Sequence, residues 1–426
     1  VTALPVSLDD RAVLPGDSRY PLLRSTYTTR HSPAVVILAR SHEDIREALA
    51  YARKSGLEVA VRSGGHGLSG SSSNDGGLVI DLSEMNGVRV LDRGARLVAI
   101  GAGARWATVA GVLHAHGLSI SSGDHGNVGV GGLATAGGIG WMVRKFGLTV
   151  DRMRSATLVL ADGSVRTVDD RSHPELFWAV RGGGGFVGIV TEFVFEAVEV
   201  TAVTVTQLTF EGAAATDALA RWDAIMRAAP RELTTTIMLH PDGGVLTVVW
   251  AGDDIPAAEA AIRPLRRLGR RPSGGKLQVI PYAALVPGAH LHPNVGQMPA
   301  VTRNGMVDEL DTTVQDLVLA AATEPDLMMQ LRSLGGAMFD VVADATAFGN
   351  RHQSALVIAT TFAPSTWATL DRRWAPLEPH FTGAYGNFES RPTVASLRLA
   401  YPAATRKRLR ELKSRYDPEG VLRALP

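Results

Sequence analysis

Apolar residues recur along this chain in two rhythms, short unbroken runs and helical spacing, and their alternation lays out the elements. The run at 33–39 predicts a buried strand. Ser41 followed by Asp44 predicts a helix capped by Ser41, with Ile45, Ala48, Leu49 and Ala52 on its buried face. Gly56 ends that helix and 57–61 returns as a strand, a β-α-β unit that delivers the following loop at a strand end. Residues 77–82 read as another strand, 88–100 alternate, and a helix follows at 106–116. Residues 156–161 and 164–168 form a hairpin about Asp162-Gly163, 174–180 form a short helix, and 188–195 form a strand.

The pattern changes near Val200. Alternation at 203–208 opens a new sheet, 213–228 is a helix, and 234–240 and 245–251 are adjacent strands joined at Pro241-Asp242-Gly243-Gly244. A helix at 257–268 is interrupted by Pro264, and 282–306 reads as irregular. Residues 335–340 and 355–362 look like further strands. A last helix has Pro402 in its first turn, an apolar stripe of Leu409, Leu412 and Tyr416, and a stop at Asp417-Pro418. No repeat interrupts this order.

Composition narrows the partners. Of 426 residues, 45% are apolar and 20% charged, ordinary for a globular protein with substantial cores. Lys and Arg number 43 against 42 Asp and Glu, so charge gives no reason to expect nucleic acid or an anionic membrane as a partner. With no cysteine, disulfides, thiolate catalysis and thiolate-ligated metals are excluded. The opening at Val1 has neither an initiator Met nor a signal pattern, and no apolar run approaches the roughly 20 residues of a membrane span. The expectation is a trimmed, soluble, cytoplasmic protein.

Two stretches carry candidate chemistry. In 59–70, an apolar strand runs into Gly64-Gly65, whose freedom to take φ > 0 lets backbone N–H groups turn toward a phosphate. Arg62 would add charge beside such a cradle. His66 would leave it as base, ligand or nucleophile, or stand as an incidental residue of a glycine turn. In 121–141, eight glycines between Gly123 and Gly140 exclude a regular helix, since each costs about 1 kcal/mol there, and suggest backbone lying against a flat or phosphorylated ligand or a structural loop. His114 and His116 sit at a helix end and receive no chemistry. His290-x-His292 lacks further ligands, so no metal is expected.

Together, the segments Arg62-Ser63-Gly64-Gly65-His66, 75–82, 128–132, 144–148, 175–184 and 416–419 closely resemble the vanillyl-alcohol oxidase superfamily with its PCMH-type FAD-binding domain. Within it they resemble the berberine-bridge-enzyme-like branch with the bacterial 6-hydroxynicotine-type oxidases. The resemblance implies an α+β fold. An FAD-binding domain of two α+β subdomains would span 1–200, a substrate domain of antiparallel sheet covered by helices 201–384, and 385–426 would return to the FAD domain.

It also implies FAD bound covalently through His66. Many members add a cysteinyl bond, but the matching position is His125, so a single histidyl link is expected. The implied cofactor contacts begin with Arg62, Ser63, Gly64, Gly65, Gly67 and Ser71. They continue through Gly123, His125, Val128, Gly131, Gly132, Leu133, Gly137, Gly138, Gly140, Trp141 and Val190, and end with Tyr385 and Asn387.

Val128 matches the position that gates oxygen, where a small residue accompanies oxidase behaviour. The resemblance therefore implies hydride transfer from a substrate alcohol, amine or ring C–H to flavin N5, with reoxidation by O₂ to H₂O₂. Relatives place the base on a tyrosine where this chain has Ile139, or near a lysine that is absent here. The candidates are Tyr385 first and then Asp340 or Asp344, while Asn387 is expected on the pyrimidine edge of the flavin. A small secondary metabolite and O₂ are the expected partners, and a homodimer is left open. The alternatives are a dehydrogenase with another electron acceptor and a flavoprotein that sequesters a drug or metabolite.

Overall fold

The computed structural model describes residues 3–212, 215–269, 275–288, 300–362 and 367–422, and contains three sheets. Strands β1 (Ala12–Val13), β2 (Val35–Leu38), β3 (Val59–Arg62) and β4 (Leu78–Asp81) form the first, in the order β1-β2-β4-β3. β2, β4 and β3 run parallel, because the helix His42–Ser55 provides the crossover. Ser41 and Asp44 make a reciprocal capping box at its start, and Gly56 ends it at φ 63°.

The second sheet is antiparallel. It comprises β5 (Val88–Asp92), β6 (Leu97–Gly101), β7 (Met153–Val159), β8 (Val165–Val168) and β9 (Ile189–Glu196), in the order β5-β6-β9-β7-β8. One core joins it to the first sheet and takes in Leu409, Leu412 and Leu422 from the far end of the chain. The helix Ala403–Tyr416 is held there by the Tyr416 hydroxyl, which donates to Glu175 Oε1 at 2.5 Å.

The third sheet has seven antiparallel strands: β10 (Ala202–Glu211), β11 (Leu233–His240), β12 (Gly243–Trp250), β13 (Gln278–Pro281), β14 (Ala300–Val307), β15 (Leu327–Ser333) and β16 (Ala355–Phe362). Their order is β13-β10-β12-β11-β15-β16-β14. Period-two alternation gives it two different faces. Leu327, Met329 and Leu331 of β15 and Ala355, Val357 and Ala359 of β16 pack with the helices Ala215–Ala228, Thr312–Ala322 and Trp367–Trp374. On the other face, Met306, Leu356 and Ile358 meet Ile139, Val143, Leu148, Phe348 and Tyr385. That inner face covers the glycine-rich segment.

Two expectations are corrected. Residues 335–340 do not form a strand but a 3-10 helix, Gly336–Asp340. Gly335 and Gly336 take φ 100° and 59°, which breaks extended backbone, and a Cβ on Gly336 would lie 2.2 Å from the Arg144 carbonyl. The segment 282–306, read as irregular, contains the start of β14. Six consecutive buried residues, including Arg303 and Asn304, remove the alternation that marks a half-exposed strand. As expected, Pro264 bounds the preceding helix, Ile255–Ile262. His290 and His292 lie outside the described residues. Among those described, no helix is long and apolar enough to cross a membrane.

Candidate active site

β3 delivers the loop that contains His66. At its end, Arg62 is buried with Nε 3.2 Å from Asp81 Oδ2, while its Nη1 donates to the Leu23 and Ser25 carbonyls. Through Nε and Nη1, Arg62 ties β3 to β4 and to the N-terminal segment, a structural role that the sequence did not suggest. Burial pulls the guanidinium pKa down and pushes the Asp81 carboxyl up, and each charge opposes the other's shift.

Ser63 locks the loop onto the second glycine segment. Its hydroxyl donates to the Ala102 carbonyl at 2.6 Å and accepts from the Gly131 amide at 3.2 Å. Gly64 and Gly129 then meet backbone to backbone: a Cβ on Gly64 would lie 2.4 Å from the Gly129 nitrogen, and one on Gly129 would lie 2.2 Å from that of Gly64. Gly65 takes φ 64° and turns the chain into His66. The His66 imidazole stacks on Tyr27, with centroids 4.1 Å apart and planes 12° apart, and lies 4.9 Å from His125. Its Nε2 is buried with no hydrogen-bond partner. Burial, reinforced by His125, pulls its pKa down to about 4, so the ring is neutral at pH 7.

The glycine-rich segment serves the protein more than the sequence suggests. Cβ atoms would strike the Pro287 carbonyl from Gly126, Phe348 from Gly137, Thr149 from Gly138 and the Ser122 carbonyl from Gly140. Gly123 abuts Leu133, and Gly131 abuts Ser63 and the Ala102 carbonyl. Close approach between protein segments therefore accounts for the lack of a side chain at most of these glycines, and Gly131 and Gly132 sit within a short helix, Val130–Ala136, despite the expectation against one. Gly67 and Gly132 differ, with nothing within 4 Å of the Cβ position.

Leu133 and Val190 are buried, Ser71 bonds Ser69 at 3.0 Å, and Trp141 has a buried Nε1 without a partner. The Val128 amide donates to the His125 carbonyl at 3.3 Å, which keeps those two residues together.

Tyr385 enters from the C-terminal side. Asn304 on β14 grips its backbone, accepting from the Tyr385 N–H at 2.7 Å and donating to its carbonyl at 3.0 Å. Its hydroxyl oxygen accepts from the Gly138 amide and from Asn387 Nδ2, both at 3.1 Å. Burial pushes the phenol pKa up, while those two donors and the charge of Arg332 pull against it. Asn387 Nδ2 also reaches the Gly132 carbonyl at 3.3 Å, so its amide nitrogen serves the protein. Asp340 and Asp344 do not join this group, which corrects their placement as alternatives. Asp340 forms an exposed pair with Arg231, and Asp344 is exposed, with its carbonyl accepting from Trp178 Nε1 at 2.8 Å.

Sequence reasoning missed Tyr27, Asp124, Asn304, Gln330 and Arg332. Arg332 projects from the inner face of β15, where Nη2 pairs with Asp124 and lies 3.2 Å from Gln330 Oε1. The only available signal was a pair of polar residues two apart, Gln330 and Arg332, within an otherwise apolar run.

These features fit a dinucleotide flavin. Two buried ring nitrogens lack partners, two glycines leave open space, and a neutral histidine stands in the strand-end loop. Comparison with known proteins agrees. A model for an FAD binding domain matches residues 33–169. The chain is 39% identical over 192 residues to (R)-6-hydroxynicotine oxidase of Paenarthrobacter nicotinovorans, across 45% of this chain and 42% of that protein. It is 28% identical to the FAD-linked oxidoreductase YgaK of Bacillus subtilis, across 92% of this chain and 90% of that one. The solved structure of BBE-like 1 from Physcomitrella patens superposes with a TM-score of 0.90 at 22% identity, covering 99% and 98% of the two chains. The chain thus carries an FAD binding domain over 33–169, and it is similar to FAD-linked oxidoreductases of the vanillyl-alcohol-oxidase, PCMH-type superfamily, with the fold of its berberine-bridge-enzyme-like members.

Proposed function

We propose that this protein is an FAD-linked oxidase of a small-molecule alcohol, amine or ring C–H. In this reading, residues 1–200 with 385–426 hold the cofactor and 201–384 face the substrate. The observation that carries the reading is His66: a half-buried, neutral imidazole with a buried, unpartnered nitrogen, on a loop that only glycines allow to pack against its neighbour. A ring kept neutral at pH 7 retains a lone pair for bond formation, which supports a covalent histidyl attachment. No cysteine exists in the chain to form a second link. When bound, FAD supplies the hydride-accepting N5 and the reoxidation by O₂ that yields H₂O₂.

The chain's own residues orient and handle protons. Tyr385 stands as the base, because its oxygen is held by two N–H donors that stabilise the anionic form and leave its O–H proton outside both bonds. Asn304 fixes its backbone, and Phe348 and Phe388 fix its ring edge-on at 6.2 and 5.1 Å. Tyr27 holds the His66 plane.

The test is denaturation of the purified protein in SDS, with flavin fluorescence followed on the polypeptide, beside His66→Ala. Retention in the wild type and loss in the variant are expected, followed by substrate-dependent H₂O₂ in screens of alcohols and amines. Flavin released from wild type overturns the covalent attachment. Protein that never holds flavin overturns the oxidase reading.

A further inference from the structure

The mechanism above leaves one group unused, the guanidinium of Arg332, whose side chain is 11% exposed. It is held in place on three sides. Nη2 pairs with Asp124, Nε and Nη2 lie 3.4 and 3.2 Å from Gln330 Oε1, and the guanidinium carbon sits 4.9 Å from the centroid of Phe388. Nη1 makes no hydrogen bond to any described residue.

The surroundings define where that free nitrogen works. Phe388 packs edge-on against Tyr385 at 5.1 Å, and Asp124 adjoins His125, whose ring is 4.9 Å from His66. Arg332 and Asp124 both act through space on Tyr385, and Asp124 acts on His66 as well. The pair is thus linked through Phe388 to the residue proposed as base, and through His125, the neighbour of Asp124, to the residue proposed to carry the cofactor.

A cationic amine in this space would meet a fixed guanidinium, and would find the nearby carboxylate already engaged. An oxygen acceptor would meet an N–H donor held by three contacts, so little side-chain freedom remains to be lost on binding. Arginine's planar fork suits a carboxylate or carbonyl oxygen, and bonds to a charged partner are the stronger kind.

We propose that Arg332 is a specificity-determining residue that binds an anionic or carbonyl oxygen of the substrate, so that the site selects oxygen-acceptor substrates over cationic amines. This rests on the placement of the active site proposed above and names the substrate class for it.

The test is isothermal titration calorimetry of the purified full-length protein with benzoate, its neutral analogue benzamide and the cation benzylamine, a readout that requires no turnover. Benzoate is expected to bind at least about 10-fold more tightly than benzylamine, with benzamide between them. R332Q weakens benzoate about 10- to 100-fold without weakening benzylamine, and R332K keeps part of the affinity. D124N, which removes the competing charge while its amide oxygen can still accept from Arg332 and the Gln330 and Phe388 contacts remain, tightens benzoate and so guards against misfolding of the arginine variants. Benzylamine binding as tightly as benzoate, benzoate giving no heat, or R332Q matching wild type would overturn the proposal. Arg332-dependent benzoate binding by a protein that yields no H₂O₂ with any substrate leaves this assignment standing and removes the oxidase reading. H₂O₂ production with benzoate affinity independent of Arg332 does the reverse.

Discussion

At the scale of single residues, burial decides the chemistry available. An imidazole in water titrates near 6.5, and the one at His66 is held down to about 4 by loss of solvent, with His125 adding to the shift. The consequence for stability has a definite sign. Between about pH 6.5 and 4 the unfolded chain binds the proton and the folded chain does not, so stability is complete above that window and falls as pH drops through it. The loss amounts to about 3 kcal/mol in all. Urea unfolding of flavin-free protein at pH 7 and at pH 4.5 checks this, and His66→Gln is expected to flatten the dependence. The same residue shows how far sequence reading reaches. A histidine after paired glycines at a strand end suggests a site, but the sequence left base, ligand, nucleophile and incidental turn residue all open. Neutrality, which favours bonding over charge, comes from burial first and then from His125, which arrives from another part of the chain.

At the scale of elements, the glycines carry the clearest lesson. Helix His42–Ser55 was legible because its capping box and its apolar spacing are local, as was the hairpin of β11 and β12 with Leu233 opposite Trp250. The loops 62–70 and 121–141 were legible as special, and their density of glycine was read toward a ligand. What the structure adds is close approach to other protein segments, backbone to backbone at Gly64 and Gly129 above all. Gly64→Ala is therefore expected to cost about 1 to 3 kcal/mol through overpacking and to reduce flavin content. Gly67→Ala, with nothing within 4 Å, is expected to change stability little. Thermal unfolding and the flavin-to-protein absorbance ratio of the two variants check both outcomes. Strand β14 was missed for the opposite reason: the sequence signal for a strand is alternation, and β14 is buried on both faces over most of its length.

At the scale of the whole molecule, the site is assembled from segments hundreds of residues apart. Tyr385 reaches Gly138, and Arg332 reaches Asp124. Arg351 also clasps Asp151 with two bonds of 2.8 Å, both side chains buried, which ties the segment between β15 and β16 to the segment before β7. Breaking that last pair leaves a buried, uncompensated guanidinium, so Asp151→Asn is expected to cost about 3 to 5 kcal/mol and to loosen the contact of Tyr385 with Gly138. Denaturant midpoints, together with the tyrosine signal in near-ultraviolet dichroism, check it. The sequence by itself determined the α+β class, the strand-end loop with His66, the lack of a cysteine for a cysteinyl link and the resemblance to FAD-linked oxidoreductases, because those rest on local spacing, composition and ordered motifs. Only the tertiary structure decided that Arg62 pairs with Asp81, that Asp340 pairs with Arg231 at the surface while Asp344 is exposed, and that Arg332 pairs with Asp124. The reason is physical: a side chain's charge state and free donors depend on which distant groups the fold brings within a few ångströms, and no local pattern encodes that meeting.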